Sequence, residues 1–499
     1  MQYITTADEA KEIDNISIRE IGIPSSVLME KAALSVYNHI INTFGTPDKS
    51  GKILAVCGVG NNGGDGVAVA RLLKEAGFDS SVMLLGNIEK ATDEMKIQLN
   101  IAQNLGVKFV TDLSDNEYNI IIDAIFGIGL SRNVEGKYAE CINKINNLSA
   151  EVVAVDIPSG INATTGEILG CAVKADYTVT FGTNKIGNVL YPGALNAGKT
   201  IVADIGFPNK AVQTVTPRAY TYSREDILNR LPARKSRTNK GSYGRVLVIA
   251  GSPGMSGACY FTAKAAYRMG CGLVKVMTSD DNLGIIKTKL PEAITSSYES
   301  DNISDSVNWA DVIVIGPGLG INAYSEKLMK EVLTITDKPI IIDADGLNIL
   351  SELNKKSKSS DKPYPYSLSS NYIITPHMKE MSRLIDVSVD DIKNNMMKYT
   401  SKQSKGCTIV LKDARTVVSD GNSLYINTTG NNGLSTGGSG DVLAGMISGL
   451  VAQGTEPFEA AKLAVCFHGL AADVYTEKYS RYSMLASDIL DTLPEIMPY

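Results

Sequence analysis

Short apolar, β-branched runs recur along this chain in two sets, separated by helix-like segments, and that alternation leaves few folds open. The first set is Ile53 to Cys57, Ser81 to Leu85, Ile120 to Ile125, Val152 to Val155 and Thr178 to Phe181. Runs of this length, bounded by turns, predict a parallel sheet with crossover helices. A second set follows: Val246 to Ile249, Leu273 to Met277, Val312 to Ile315, Ile340 to Ile342, Tyr372 to Ile374 and Thr408 to Leu411. Between them, Gly206 to Arg237 is polar and basic and is broken by Pro208, Pro217 and Pro232, so the boundary between two α/β units is expected there. Inside the second unit, the lysine- and serine-rich stretch between Asn354 and Ser370 reads as an exposed, mobile loop.

With 499 residues, 44% of them hydrophobic, the chain has apolar material for more than one core. A net charge of -6 with no basic block argues against nucleic acid or an anionic membrane as a partner. No apolar stretch is long enough to cross a bilayer. The polar start shows no signal-peptide pattern, and Thr6 with Glu9 has capping-box spacing. Cys57, Cys141, Cys171, Cys259, Cys271, Cys407 and Cys466 form no CxxC pair. They read as buried free thiols of a cytoplasmic protein, neither a disulfide framework nor a zinc site.

The segment from Asn431 to Asp441 reads Asn-Asn-Gly-Leu-Ser-Thr-Gly-Gly-Ser-Gly-Asp and runs into an apolar stretch, Val442 to Val451, expected to be helical. Backbone amides from Gly437 to Gly440 can converge on a phosphate, helped by the positive end of the helix. Asp441 would repel that phosphate, so its carboxylate is better used as a general base on a hydroxyl approaching the phosphate. The blander alternative is that Asp441 only complements the dipole of its own helix.

In the first unit, Gly58-Val-Gly-Asn-Asn-Gly follows a strand and formally satisfies the dinucleotide fingerprint, with a helix expected from near Asp65 to near Gly77. The next strand, however, ends Leu84-Leu-Gly-Asn, without the acid that would hold a ribose. Asn61, Asn62 and Asp65 instead supply side-chain oxygens suited to a cation or polar ligand. Asp123, before Phe126-Gly-Ile-Gly-Leu, and Asp156, before Ile157-Pro-Ser-Gly, end two further strands, so Asn62, Asp123 and Asp156 are expected to converge at one sheet edge. Two buried carboxylates there require a cation or a shared proton.

These motifs together resemble the NAD(P)H-hydrate epimerase domain over residues 1–214, which implies a Rossmann-like three-layer fold and interconversion of the R and S forms of NADHX and NADPHX, nicotinamide cofactors hydrated at ring carbon 6. The resemblance places the hydrate on Asn61, Asn62, Gly63, Gly64 and Asp65, on Gly127, Ile128, Gly129, Leu130, Ser131, Arg132 and Asn133, and on Asp156. It places a potassium ion on Asn62, Asp123 and Ser159, and leaves open whether Asp123 or Asp156 moves the proton.

In the second unit, Lys240-Gly-Ser-Tyr-Gly, Gly251-Ser-Pro-Gly-Met-Ser-Gly-Ala, Gly316-Pro-Gly-Leu-Gly, Asp343-Ala-Asp-Gly-Leu-Asn, Thr375-Pro-His-Met-Lys-Glu and the glycine turn before Asp441 occur in order at strand ends. This set resembles the ADP-dependent (S)-NAD(P)H-hydrate dehydratase, a ribokinase-like α/β fold, over residues 223–499. The resemblance implies phosphorylation of the hydrate's hydroxyl by ADP with magnesium, then loss of phosphate. It assigns Ala258, Gly318, His377 and catalytic Asp441 to the hydrate. It assigns Lys412, Asp413, Ala414, Arg415 and Thr416, with Asn432, Gly433, Leu434, Ser435, Thr436, Gly437, Gly438, Ser439 and Gly440, to the nucleotide. Glu380 has the spacing of a magnesium-associated acid, whereas His39 and His468 read as core. The sequence departs from the family at Met378 and Lys379, where Pro-Gly is usual, and at Asn432, where Pro is usual. A homo-oligomer is expected. The competing readings are a ribokinase-like vitamin-precursor kinase with a regulatory first unit, and a binding scaffold without catalysis.

Overall fold

The computed structural model describes residues 1–46, 51–113, 118–335, 337–356, 368–404 and 406–498. The chain divides into two compact units, Gln2–Arg218 and Ala219–Tyr499, the latter including Met1. Of the stretch expected to be a mobile loop, residues 357–367 lie outside the described residues; its first residues close the helix Asp345–Lys356.

The first unit is built on a seven-stranded sheet ordered Lys108–Val110, Asp79–Leu84, Lys52–Cys57, Ile120–Ala124, Glu151–Val155, Tyr177–Phe181, Lys199–Ala203, with every neighbouring pair parallel. Alternate residues face opposite layers. Ile53, Ala55 and Cys57 pack with Ile120, Ile122 and Ala124 in one core, while Leu54, Val56 and Ile121 pack in another. Each fully buried aliphatic side chain contributes about 1.5–3 kcal/mol, which is why near-continuous apolar strands end up covered by helices on both faces. The edge strands Lys108–Val110 and Lys199–Ala203 have no fully buried residue, which explains why no apolar run announces them. Strand order reverses between Lys52–Cys57 and Ile120–Ala124, opening a crevice at their carboxyl ends.

The helix after the strand Lys52–Cys57 spans Asn61–Glu75, four residues ahead of the expected start. Gly63 explains the difference: a Cβ there would lie 1.9 Å from the carbonyl oxygen of Gly58, so only glycine lets the first turn close back on the strand end. Asn61, Asn62 and Asp65 therefore project from a helix and not from a loop.

The second unit repeats the plan. Its strands run in the order Ile294–Ser297, Leu273–Thr278, Arg245–Ile249, Val312–Ile315, Ile340–Ile342, Tyr372–Ile374, Thr408–Leu411, Val417–Ser419, Leu424–Ile426, Ala219–Thr221. Pairing is parallel as far as Thr408–Leu411 and antiparallel over the next two junctions. The order reverses between Arg245–Ile249 and Val312–Ile315. The helix Ser439–Ala452 packs against Ser256–Arg268 so closely that a Cβ at Gly445 would come within 2.2 Å of the carbonyl oxygen of Thr262. This contact holds the glycine turn over the sheet edge. Among the described residues, no helix is long and apolar enough to cross a membrane, and the seven cysteines are free.

Candidate active sites

At the reversal point of the first sheet lies a cleft of about 810 Å³, lined among others by Asp14, Asn61, Asn62, Asp65, Phe181, Thr183 and Lys185. Gly127, Ile128, Gly129, Leu130, Ser131, Arg132 and Asp156 line it too, but Gly63, Gly64 and Asn133 do not. Gly63 and Gly64 are buried under the helix turn, so their part is to let that turn form.

Of the three residues expected to converge, Asn62 and Asp156 line the cleft, while Asp123 is buried and is not part of its lining. Asp123 is fully buried beneath the Phe126 loop, its carboxylate accepting from Ser159 Oγ at 2.6 Å, Ser159 N at 2.8 Å and Ile125 N at 3.3 Å. Burial raises its carboxyl to about 6, against the lowering effect of the Ser159 and Ile125 donors. Ser159 Oγ also accepts from Phe126 N at 2.8 Å, so the pair anchors the loop carrying Gly127 to Arg132.

Asp156 sits differently. Its backbone adopts φ +68°, an uncommon conformation that a short polar residue tolerates better than most. Oδ1 accepts from Lys185 Nζ at 2.5 Å, Thr180 Oγ1 at 2.9 Å and Phe181 N at 3.2 Å, while Asn188 Nδ2 donates to the Asp156 carbonyl at 3.1 Å. Asp65 faces it from the helix Asn61–Glu75, and burial together with the charges of Asp156 and Asp14 holds the Asp65 carboxyl well above the ordinary carboxylate range. Lys185 was not singled out in the sequence. Its only local signal is a lone lysine after a strand, in Gly182-Thr-Asn-Lys.

In the second unit, the carboxyl ends of four adjacent strands carry Gly316, Asp343, Thr375 and Lys412. Asp343 is buried and its Oδ1 accepts from Lys412 Nζ and from Thr375 Oγ1, each at 2.7 Å. Burial pulls the Lys412 ammonium down, but Asp343, Glu380 and Asp441 together raise it, so it stays charged. Asp441 lies in the first turn of the helix Ser439–Ala452, whose N-cap, Gly438, has φ +89°. Burial, then the neighbouring charge of Asp343, raises the Asp441 carboxyl to about 7; Lys412 opposes this and Asp345 adds to it. No carbonyl of the described chain accepts from the amides of Gly437, Gly438, Gly440 or Asp441. Those orphan donors and an acid raised by burial stand side by side, beside the Lys412–Asp343 pair that a Cβ on Gly440 would touch.

Ala258 and Gly318 come together, a Cβ on Gly318 falling 2.9 Å from that of Ala258. His377 caps the helix Met378–Ile385: its Nδ1 accepts from Lys379 N and Glu380 N, and Glu380 Oε2 accepts from His377 N at 2.8 Å. Only its Nε2 edge, 3.4 Å from Glu380 Oε1, is left for other work. Burial raises the Glu380 carboxyl to about 7, with Lys412 working against it. The half-buried His39 rings against Tyr177, whereas His468 is buried with Nε2 3.2 Å from Ser439 Oγ, under the glycine turn. Asn431 opens that turn and is tied through Nδ2 to Asp473 Oδ1 at 2.9 Å, an acid that sequence reading missed.

Residues 25–187 match the family described as YjeF-related protein N-terminus and residues 246–495 the family described as NAD(P)H-hydrate dehydratase. A bifunctional NAD(P)H-hydrate repair enzyme of Moorella thermoacetica is 36% identical over 99% of this chain and 96% of its own. The chain belongs to the bifunctional NAD(P)H-hydrate repair enzyme family. The family member of Escherichia coli is 34% identical, covering 89% of this chain and 84% of its own. A ribokinase-like superfamily protein of Enterococcus faecalis, 31% identical, matches 56% of this chain and 94% of its own with a TM-score of 0.50. Family membership across both units sets aside the vitamin-precursor kinase and the scaffold readings.

Proposed function

We propose that the unit Gln2–Arg218 interconverts the R and S hydrates of NADH and NADPH, and that the unit Ala219–Tyr499 dehydrates the S form at the expense of ADP, giving AMP and phosphate. The observation that carries this is the placement of an acid with a perturbed environment at the reversal point or strand edge of each sheet: Asp156 with Asp65 in the first, Asp441 beside unpaired amides in the second. A coupled assay of mixed R and S hydrates with ADP tests it; recovery of the reduced cofactor from both epimers, with AMP and phosphate formed, is the expected result.

In the second unit Asp441 takes the proton of the carbon-6 hydroxyl as that oxygen attacks the terminal phosphorus of ADP. The amides of Gly437 to Gly440 and Lys412 carry the charge that develops on the transferred group. Phosphate then leaves carbon 6, pushed by the ring nitrogen lone pair, and the departing phosphate takes the carbon-5 proton as the ring double bond is restored. Magnesium would arrive with the phosphates of ADP, and Glu380 and Asp343 are oxygen donors of the kind it takes. Ala258, Gly318 and the Nε2 edge of His377 would bound the hydrate, while the residues from Lys412 to Thr416 and from Asn432 to Gly440 would hold the nucleotide.

In the first unit the chemistry needs a proton given on one face of carbon 6 and taken on the other. Asp65, whose carboxyl burial pushes well above the ordinary range, gives its proton to the departing hydroxyl, which leaves as water while the ring nitrogen lone pair forms a C=N bond. A water adds to the opposite face and yields its proton to Asp156; transfer of that proton from Asp156 back to Asp65 then restores both acids and closes the cycle. Asp156 is favoured over Asp123 because it lines the cleft and its Oδ2 accepts no hydrogen bond from the described chain.

Potassium would sit on Asn62, Asp123 and Ser159. The fit rests on Asn62, whose buried Nδ2 has no hydrogen-bond partner. Turning that amide over puts a carbonyl oxygen in the same place, which is what a cation takes. No three His, Cys, Asp or Glu side chains among the described residues are grouped to hold a metal, so an ion bound through an amide, a hydroxyl and one carboxylate suits potassium better than magnesium. When bound there, potassium would supply fixed positive charge between the Asn62 helix turn and the Phe126 loop. Asp123→Ala is therefore expected to impair epimerisation, to remove its dependence on potassium and to leave dehydration of the S form unchanged. An epimerase indifferent both to this substitution and to exchange of potassium for a bulky organic cation would sink this assignment.

Each unit is compact, with buried apolar strands of its own, so fragments ending near Thr214 and beginning near Tyr222 are expected to fold alone. The first should epimerise without ADP and the second should consume only the S hydrate. A second fragment that consumes both epimers at equal rates would remove the need for the first.

A further inference from the structure

The ion pair between Lys185 and Asp156 is the one feature of the first cleft for which the proposed chemistry has not yet found a use. Lys185 ends the short strand Asn184–Lys185, which pairs in parallel with Gln2–Thr5, placing Lys185 beside Thr5. Its side chain is 3% exposed. Nζ reaches Asp156 Oδ1 at 2.5 Å, Thr180 Oγ1 at 3.0 Å and the Phe181 carbonyl at 2.9 Å. An ammonium has three hydrogens and all three are thus committed. Thr180 Oγ1, accepting from Lys185, gives its own single proton to Asp156 Oδ1.

Two consequences follow from this closed set of bonds. Lys185 has no hydrogen left for a substrate, so it acts through Asp156. All three donors, Lys185, Thr180 and Phe181 N, fall on Oδ1, which fixes the plane of the carboxylate and turns Oδ2 away from them. We infer that Lys185 is a positioning residue of the epimerase site, clamping Asp156 through one oxygen so that the other is held aimed at the water or hydroxyl on carbon 6.

The cleft around Asp156 carries acids, Asp14, Asp65 and Glu94, and bases, Lys11, Arg19 and Arg132, and Lys185 is the one that the structure puts in contact with Asp156. Asp14 faces it from the helix Ala7–Asn15 and Asp65 from Asn61–Glu75, with Glu94, on Asp93–Asn104, acting on Asp14. Lys185 is the cation in direct contact with Asp156 and also opposes the shift of Asp14. With it in place the two carboxyls stand in different surroundings: Asp156 is paired with a cation, while burial and the charges of Asp156 and Asp14 push the Asp65 carboxyl well above the ordinary range. A site that must work in both directions gains from having the acid and the base distinct.

This inference rests on the reading of Asp156 as the base, and the experiment separates the two. Lys185→Met, Lys185→Arg, Thr180→Val and Asp156→Asn are compared in the full chain for epimerisation, with dehydration of the S hydrate by the other unit as the control for intact protein. Lys185→Met is expected to lower kcat by about a hundredfold, the effect of misplacing a reacting group by about 1 Å, with a smaller change in KM. Lys185→Arg, which keeps a cationic donor at that place, should restore most of the lost kcat. Thr180→Val should lower kcat with little change in KM, and it supplies the test if Lys185→Met fails to fold. Wild-type kcat in Lys185→Met, or wild-type kcat in Thr180→Val where Lys185→Met yields no folded protein, would overturn the inference alone, provided Asp156→Asn is inactive. Full activity in Asp156→Asn would overturn the reading of Asp156 itself.

Discussion

Asp441→Asn reduces ADP-dependent dehydration by about a hundredfold or more, the usual cost of losing a general base, and leaves ADP binding close to that of the wild type. The substitution removes a base and keeps the shape of the turn, so the amides from Gly437 to Gly440 still meet the phosphates. The pH dependence gives a second reading of the same residue. Burial and the neighbouring Asp343 raise the Asp441 carboxyl to about 7, and a base must be ionised, so the wild-type rate climbs with pH through about 7. That limb disappears in the variant. Stability moves the other way. A carboxyl whose folded value lies above its unfolded value stabilises the fold below the ordinary carboxyl range, and that contribution is lost as pH rises through about 7. Asparagine stays neutral, so the melting temperature of Asp441→Asn relative to the wild type should rise between pH 5 and pH 8. Equal turnover in the two proteins, measured by AMP formed from the S hydrate, would remove Asp441 from the chemistry.

Asp156→Asn abolishes epimerisation, again by about a hundredfold or more, while the other unit continues to work. With ADP in excess, a mixture of R and S hydrates should be consumed rapidly only as far as its S fraction and then stall, the R hydrate remaining. Adding the wild-type first unit in trans should release the stall. A variant that consumes both epimers at the wild-type rate would shift the proton-transfer role to Asp123, the carboxylate that the Ser159 and Ile125 donors hold beneath the loop.

Most of the framework was legible without coordinates. Apolar strands such as Ile120–Ala124 and Val312–Ile315 announce themselves because both faces of a parallel sheet are buried. Asp156 and Asp441 were legible because they follow or adjoin strand ends and glycine turns, where an α/β sheet binds its ligands. The start of the helix Asn61–Glu75 was misplaced by four residues because glycines read as a loop until the Gly58 carbonyl is seen packed against Gly63.

What this sequence determined by itself is therefore what depends on neighbours along the chain: strand and helix periods, the capping box of Thr6 and Glu9, the glycine turn before Asp441, and the carboxylates at the ends of strands. What only the tertiary structure decided is how each carboxylate is solvated and paired. Asp123 and Asp156 look alike in sequence, yet Ser159, 36 residues away, turns one inward to hold a loop, and Lys185, 29 residues away, turns the other toward the cleft. A charge buried in a low dielectric takes its properties from whichever donors the fold brings within about 3 Å, and no local pattern of residues records that distance.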